Sequence, residues 1–160
     1  MVDVSVTGSR LWSRLMDMAQ IGTIPGDGSC RLALSDEDLE GRALFLSWCR
    51  DRGFSVVHDQ IGNLFVRRDG AGVLAAPVVM GSHLDTQPNG GRFDGVLGVL
   101  AGLEVLETLE DAGIGTARPV EVAVWMNEEG ARFQPAMMGS AVHCGVHGLA
   151  ETLPALMRTA

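Results

Sequence analysis

From Ser9 the apolar residues Leu11, Trp12, Leu15, Met16 and Ala19 return every three or four positions, which predicts a helix with Ser9 as its N-cap. Residues 21–31 carry Pro25, Gly26 and Gly28 and read as a loop. Ser35, followed by Asp36, Glu37 and Asp38, predicts a second helix that runs to about Arg52 and stops at Gly53. Leu44, Phe45, Trp48 and Cys49 share one face of it, so Trp48 is expected in the core rather than as a substrate-stacking ring. Phe54 to Val57 and Asn63 to Arg67 read as short strands around a turn at residues 59–62, and a further turn follows at residues 69–72. Pro77 to Gly81 is an apolar run expected as a central strand.

The segment from Val96 to Ala112 is the clearest helix. Glu104, Glu107 and Asp111 fall on one face, Val99, Leu100, Leu103 and Leu106 fill the remainder, and Gly113 ends it. Gly98 and Gly102 each lower helix propensity by about 1 kcal/mol; a glycine pair four apart would let the backbone lie close to a sheet. Pro119 to Met126 alternates as a buried strand, with Val120, Val122, Val124 and Met126 on one face and Ala123 and Trp125 on the other. A weaker helix is expected from Leu149 to Met157. Helices alternating with apolar strands imply an α/β layered domain, and no repeat or linker divides it.

Composition adds limits. The 160 residues suffice for one domain with a buried core. The net charge of −8, without a basic stripe, argues against a nucleic-acid partner. Cys30, Cys49 and Cys144 form no CxxC pair and read as reduced thiols of a cytoplasmic protein. The opening residues show no leader pattern, and no run of roughly 18 apolar residues is present to span a membrane.

The chemistry gathers at the ends of the two apolar strands. Gly81-Ser82-His83-Leu84-Asp85-Thr86 follows the first, with Gly90-Gly91-Arg92-Phe93-Asp94-Gly95 shortly after, and Asn127-Glu128-Glu129-Gly130 follows the second. In open α/β sheets, sites collect at the carboxyl ends of strands. If these strands are parallel neighbours, an imidazole and several carboxylates converge, which suits a metal ion. The carboxylate of Asp85 is placed to hold the second ring nitrogen of His83. Of the adjacent glutamates, one can be a ligand and the other a proton acceptor. His143 and His147 have the i, i+4 spacing of helical metal ligands, but Gly145 and Gly148 weaken a helix there, and ordinary exposed histidines are expected.

These three stretches, together with Arg31-Leu32-Ala33-Leu34-Ser35, Asp59-Gln60-Ile61-Gly62-Asn63 and Met138-Gly139-Ser140, resemble the hydantoinase/carbamoylase family of amidases. That family lies in the wider group of dinuclear-zinc aminoacylases, carboxypeptidases and aminopeptidases. The resemblance implies a three-layer α/β catalytic domain around a mixed, largely parallel sheet. It implies that His83 binds one metal ion, Asp94 bridges two and Glu129 binds the second. Glu128 would be the general base and Asp85 would orient His83. The two divalent ions would be zinc, or manganese, cobalt or nickel.

Members hydrolyse amide bonds in N-carbamoyl amino acids, allantoate, ureidoglycolate-type compounds or β-ureidopropionate, and their usual state is a homodimer. They are more than twice this long, with a lid domain and two further histidine ligands beyond the residues matched here. Residues 1–160 therefore look like the N-terminal part of the catalytic domain, without activity alone and holding at most one ion tightly. Two alternatives stand beside this: a non-catalytic fragment with weak metal binding, and a fragment of an aminoacylase or peptidase of the same group. Asn127 and the Gly-Gly-Arg-Phe-Asp-Gly stretch favour the carbamoylase branch.

Overall fold

In the computed structural model, which describes residues 4–72 and 76–157, helix α1 spans Gly8–Met18. It starts ahead of the expected Ser9 cap, with Thr7 in the N-cap position. A distant contact sets this start: the Thr7 N–H donates to Glu104 Oε1 at 2.6 Å. Residues 1–3, on which the reading of no leader partly rests, lie outside the described residues.

The loop after α1 contains a two-residue pair of strands, β1 (Thr23–Ile24) and β2 (Gly28–Ser29), joined antiparallel. Helix α2 (Asp36–Asp51) begins where expected, the Ser35 hydroxyl accepting the Asp38 N–H. Phe45 and Cys49 are buried on it, and Trp48 packs against the same core with the Arg14 guanidinium 5.2 Å above its ring. Strands β3 (Ser55–His58), β4 (Leu64–Arg68) and β5 (Val78–His83) follow, then helix α3 (Val96–Asp111) and strand β6 (Val120–Trp125). Helices α4 (Met138–His143) and α5 (Leu149–Met157) close the described chain. Helix α4 lies where the sequence pattern loosens; it is too short to display a period.

The main sheet has the order β3-β4-β6-β5. It is mixed, as expected, but not largely parallel among the described residues: β5 and β6 run parallel, whereas β3/β4 and β4/β6 are antiparallel. Strand β5 is not central, contrary to expectation. Among the described residues it is an edge strand, because β6 crosses back over α3 and inserts between β4 and β5. The apolar run does not mark an interior position here, since Val78 and Val79 are both exposed.

Helices α1, α2 and α3 share one core with Leu64, Val66, Val122 and Val124. The glycine pair of α3 does what its spacing predicted. A Cβ on Gly98 would lie 2.7 Å from Ser82 Cβ, and one on Gly102 would lie 3.0 Å from Val122 Cγ2, so any larger residue pushes the helix off the sheet.

The acidic face of α3 is buried rather than solvated. Glu104 and Glu107 are at most 1% exposed. Arg10 donates to Glu104 at 2.7 Å and to Asp111 at 2.7 Å, while Arg14 and Arg52 both pair with Glu107. These arginines fasten α1 and α2 to α3. Buried carboxylates are tolerable only with such partners, and removing one partner costs far more than the pair contributes.

The opposite face of the sheet carries Val57, Phe65, Ala123, Trp125 and Val79. At its Trp125 end, His143 of α4 stacks on Phe65 and Trp125 with ring centroids 5.2 and 5.3 Å away. Elsewhere it is open: Val57 is 59% exposed and Val79 48%. Strand β5 has no Lys, Arg, Asp or Glu to guard its edge. No helix among the described residues is long and apolar enough to cross a membrane.

Two outcomes are expected. Arg10→Met should lower unfolding stability by roughly 3 kcal/mol, because Glu104 stays buried while losing its cation. Burial alone would raise the Glu104 carboxyl, but Arg10 and the Thr7 N–H outweigh it and hold it below 4.5, while Arg52 and Arg10 hold Asp111 at about 2. Both contributions are therefore complete above the ordinary carboxylate values and fade as pH falls through the lowered ones. Urea midpoints should drop on acidification below about pH 4.5, and less steeply in Arg10→Met; parallel slopes would disprove the assignment. Second, the open face should make the 160-residue chain associate with rising concentration, and Val57→Thr with Val79→Lys should reduce this in analytical ultracentrifugation. A monomer at every concentration would contradict it.

Candidate metal centre

The parallel register of β5 and β6 puts His83 opposite Trp125, so both strands end at the same level. Beyond the first end, Leu84 is buried with no exposure and pins the turn, and Asp85 and Thr86 are buried after it. Beyond the second end, Asn127 adopts a left-handed conformation, φ 48°, which Asn tolerates better than most residues. Its side-chain amide donates to the carbonyls of Phe133 at 2.8 Å and Pro135 at 3.2 Å. This turn directs Glu128 and Glu129 back toward β5.

Asp94 comes from the entry of α3. Gly95 follows it with φ 68°, and a Cβ there would stand 2.5 Å from the His83 ring. Only glycine lets the imidazole lie against the start of α3, and that approach brings Asp94 to His83. One nitrogen of His83 and one carboxylate oxygen each of Asp94 and Glu129 lie within 4.8 Å of one another. The three residues singled out as ligands in the sequence are thus together.

The atoms around this cluster fit a cation. His83 Nδ1 lies 2.8 Å from the carbonyl oxygen of Asp85. A carbonyl only accepts, so Nδ1 carries the proton and Nε2 presents its lone pair. Nε2 in turn faces Glu128 Oε2 at 3.3 Å. Two lone-pair atoms meeting there favour a positive charge between or beside them. Among the described residues, Glu129 Oε1 is buried with no hydrogen-bond partner, which a cation would satisfy.

Asp85 acts differently from the sequence expectation. Its carboxylate is 3.9 Å from His83 Nδ1, and the backbone carbonyl, not the side chain, holds the ring. The carboxylate instead accepts the N–H groups of Glu128 and Glu129, each at 3.2 Å. Burial pushes the Asp85 carboxyl above the usual carboxylate range, and these two N–H groups oppose that shift without cancelling it. Spacing alone favoured the side chain because His-x-Asp places both side chains on one side of an extended strand. The strand ends at His83, and the chain turns before Asp85.

Gln87 was missed. Its Nε2 donates to Glu129 Oε2 at 2.7 Å and so orients that carboxylate; its place two residues beyond Asp85 was the available signal. His143 and His147 do not join the cluster. Helix α4 ends at His143, Gly145 turns the chain at φ 72°, and both histidines are exposed.

Comparison with known proteins gives a consistent result. Residues 79–156 match the family model described as Peptidase family M20/M25/M40. The N-carbamoyl-L-amino-acid amidohydrolase of Rhizobium meliloti is 54% identical over 144 residues, covering 90% of this chain and 35% of that protein. The N-carbamoyl-L-amino acid amidohydrolase of Geobacillus stearothermophilus is 44% identical over 140 residues, covering 88% of this chain and 34% of that protein. A crystal structure of a hydantoinase/carbamoylase family amidase from Burkholderia ambifaria superposes with a TM-score of 0.90 at 61% identity, over 92% of this chain and 36% of that one. The chain spans about a third of the length of the relatives it matches. In sequence and in fold, the chain is similar to hydantoinase/carbamoylase amidases, and its residues 79–156 match the group that peptidase family M20/M25/M40 describes.

Proposed function

We propose that this chain supplies the metal-holding and proton-accepting groups of an amidase that hydrolyses a linear carbon–nitrogen bond in a small ureido compound. An N-carbamoyl amino acid is the first choice of substrate, and allantoate or a related ureido acid the second. The single observation that carries the reading is the convergence of His83, Asp94 and Glu129 within 4.8 Å, with Glu128 at its margin. The names of the relatives support the bond type, and their greater length is consistent with residues 1–160 being one contribution to a larger catalytic domain.

His83 through Nε2, Asp94 and Glu129 would hold divalent metal, with Asp94 shared between two ions. Bound there, the metal supplies Lewis acidity, lowering the pKa of water and polarising a carbonyl. The protein's own groups divide the remaining tasks. Glu128, partly exposed, takes a proton from water. Asp85 fixes the main chain of both glutamates, so that their side chains diverge to separate roles. Gln87 holds Glu129 in orientation, and the Asp85 carbonyl fixes the tautomer of His83 that leaves Nε2 free.

Three donors are too few for two tightly held ions, since a catalytic zinc commonly takes about three protein ligands by itself. Elemental analysis after dialysis should find at most one zinc, manganese or cobalt ion per 160-residue chain, and that chain should not hydrolyse N-carbamoyl amino acids. Two retained ions would contradict the donor count.

The division of roles is tested by substituting this chain for the matching segment of the Rhizobium meliloti relative. Asp94→Ala should lose metal and turnover together. Glu128→Gln should keep metal and lose about 10²–10⁴-fold in kcat, as an amide accepts no proton from water. If Glu128→Gln released metal while Glu129→Gln kept it, base and ligand would be exchanged.

A further inference from the structure

Arg31 lies outside the metal cluster and is fully buried. Its Nε donates to the carbonyl of Leu84 at 3.2 Å. Its Nη1 donates to the carbonyl of Ile21 at 2.9 Å, the Ser29 hydroxyl at 2.6 Å and, more weakly, the carbonyl of Met18 at 3.4 Å. The main chain adds a reciprocal pair: the Arg31 N–H donates to Thr86 Oγ1 at 2.7 Å, and the Thr86 N–H donates to the Arg31 carbonyl at 2.8 Å. Leu84 and Thr86 flank Asp85. Arg31 and its peptide therefore grip the turn on both sides of the residue that orients His83 and ties down both glutamates.

The fold leaves room for this side chain. A Cβ on Gly22 would come to 3.0 Å from Arg31 Cγ, and one on Gly41 to 3.3 Å from Arg31 Cδ. Lysine cannot substitute, because only the planar guanidinium presents fixed donors to carbonyls on several segments at once. Burial lowers the pKa of Arg31, while the nearby Asp38 and Asp85 favour its charge.

We propose that Arg31 is a positioning residue of the metal centre. By holding Leu84 and Thr86 it sets the direction of the Asp85 carbonyl toward His83 Nδ1 and of the Asp85 carboxylate toward the Glu128 and Glu129 peptides. The proposal rests on the reading of His83, Asp94 and Glu129 as metal ligands, and it extends the site about one layer inward. A mere staple of the core would affect melting temperature and leave the imidazole and metal unchanged.

The test uses the 160-residue chain, labelled with ¹⁵N at histidine, and Co²⁺ as the probe. The variants are Arg31→Met, Arg31→Lys and Thr86→Val. Arg42→Met serves as the control, since Arg42 is also buried but bonds Asp38 and the carbonyl of Gly62. At comparable loss of melting temperature, Arg31→Met should weaken Co²⁺ binding by about 10–100-fold and shift its visible absorption. It should also remove the preference of His83 for the Nδ1-protonated tautomer. Arg42→Met should keep all three signals. If Arg31→Met behaves like Arg42→Met, the proposal is overturned.

Should Arg31→Met not fold, Arg31→Lys and Thr86→Val decide, and unchanged tautomer and cobalt signals in both overturn it. If the unsubstituted chain binds no Co²⁺, the metal reading fails by itself. The His83 tautomer in Arg31→Lys and Thr86→Val then still decides whether Arg31 positions the turn.

Discussion

A buried carboxylate joins the two strand ends on which this molecule's chemistry is built. Asp85, just beyond β5, accepts the N–H groups of Glu128 and Glu129, just beyond β6. Parallel pairing of β5 with β6 brings the ends level, but level ends do not by themselves orient anything. The bond from each peptide to one shared carboxylate fixes the rotation of the second turn against the first. Because burial already disfavours the Asp85 charge, losing either N–H would leave an expensive group unsatisfied. Both turns are therefore held in a single arrangement.

The same arrangement explains the surrounding glycine and asparagine. Gly95 has no Cβ because the His83 ring occupies that space. Asn127 accepts a left-handed backbone and uses its side chain to tie down the loop beyond. Arg31 supports the β5 turn from beneath. Each of these residues contributes by constraining backbone, and the side chains that would meet metal and substrate occupy what space remains.

Charge is handled in two ways in this small domain. On the helical side, Glu104 and Glu107 are buried but saturated by Arg10, Arg14 and Arg52, an arrangement that locks three helices together. At the candidate centre, among the described residues, His83, Asp94, Glu128 and Glu129 are left without an arginine partner, and Glu129 Oε1 has no hydrogen-bond partner. Saturated charge serves stability, and unsaturated charge is what the proposed metal site requires. The sheet divides similarly, with one face closed by α1, α2 and α3 and the other open around Val57 and Val79.

Periodicity in the sequence was enough to locate α2, α3, α5, β4 and β6 to within a residue or two, because each buries one face and must repeat its apolar residues at the period of its backbone. The candidate site's residue types were legible for a related reason: His83 closes an apolar strand, and Asp94 and Glu129 each precede a glycine at a helix or strand end, where side chains are not needed for packing. The short pair β1 and β2 and the six-residue α4 were hidden, since elements of that length show no period. What only the tertiary structure decided was sequence-distant. Thr7 rather than Ser9 caps α1 because Glu104 receives its N–H. Among the described residues, strand β5 lies at an edge because β6 inserts beside β4. Asp85 gives its carbonyl to His83 and its carboxylate to β6 because the chain turns after His83, and no local pattern records where a turn will meet a strand that lies some forty residues further along.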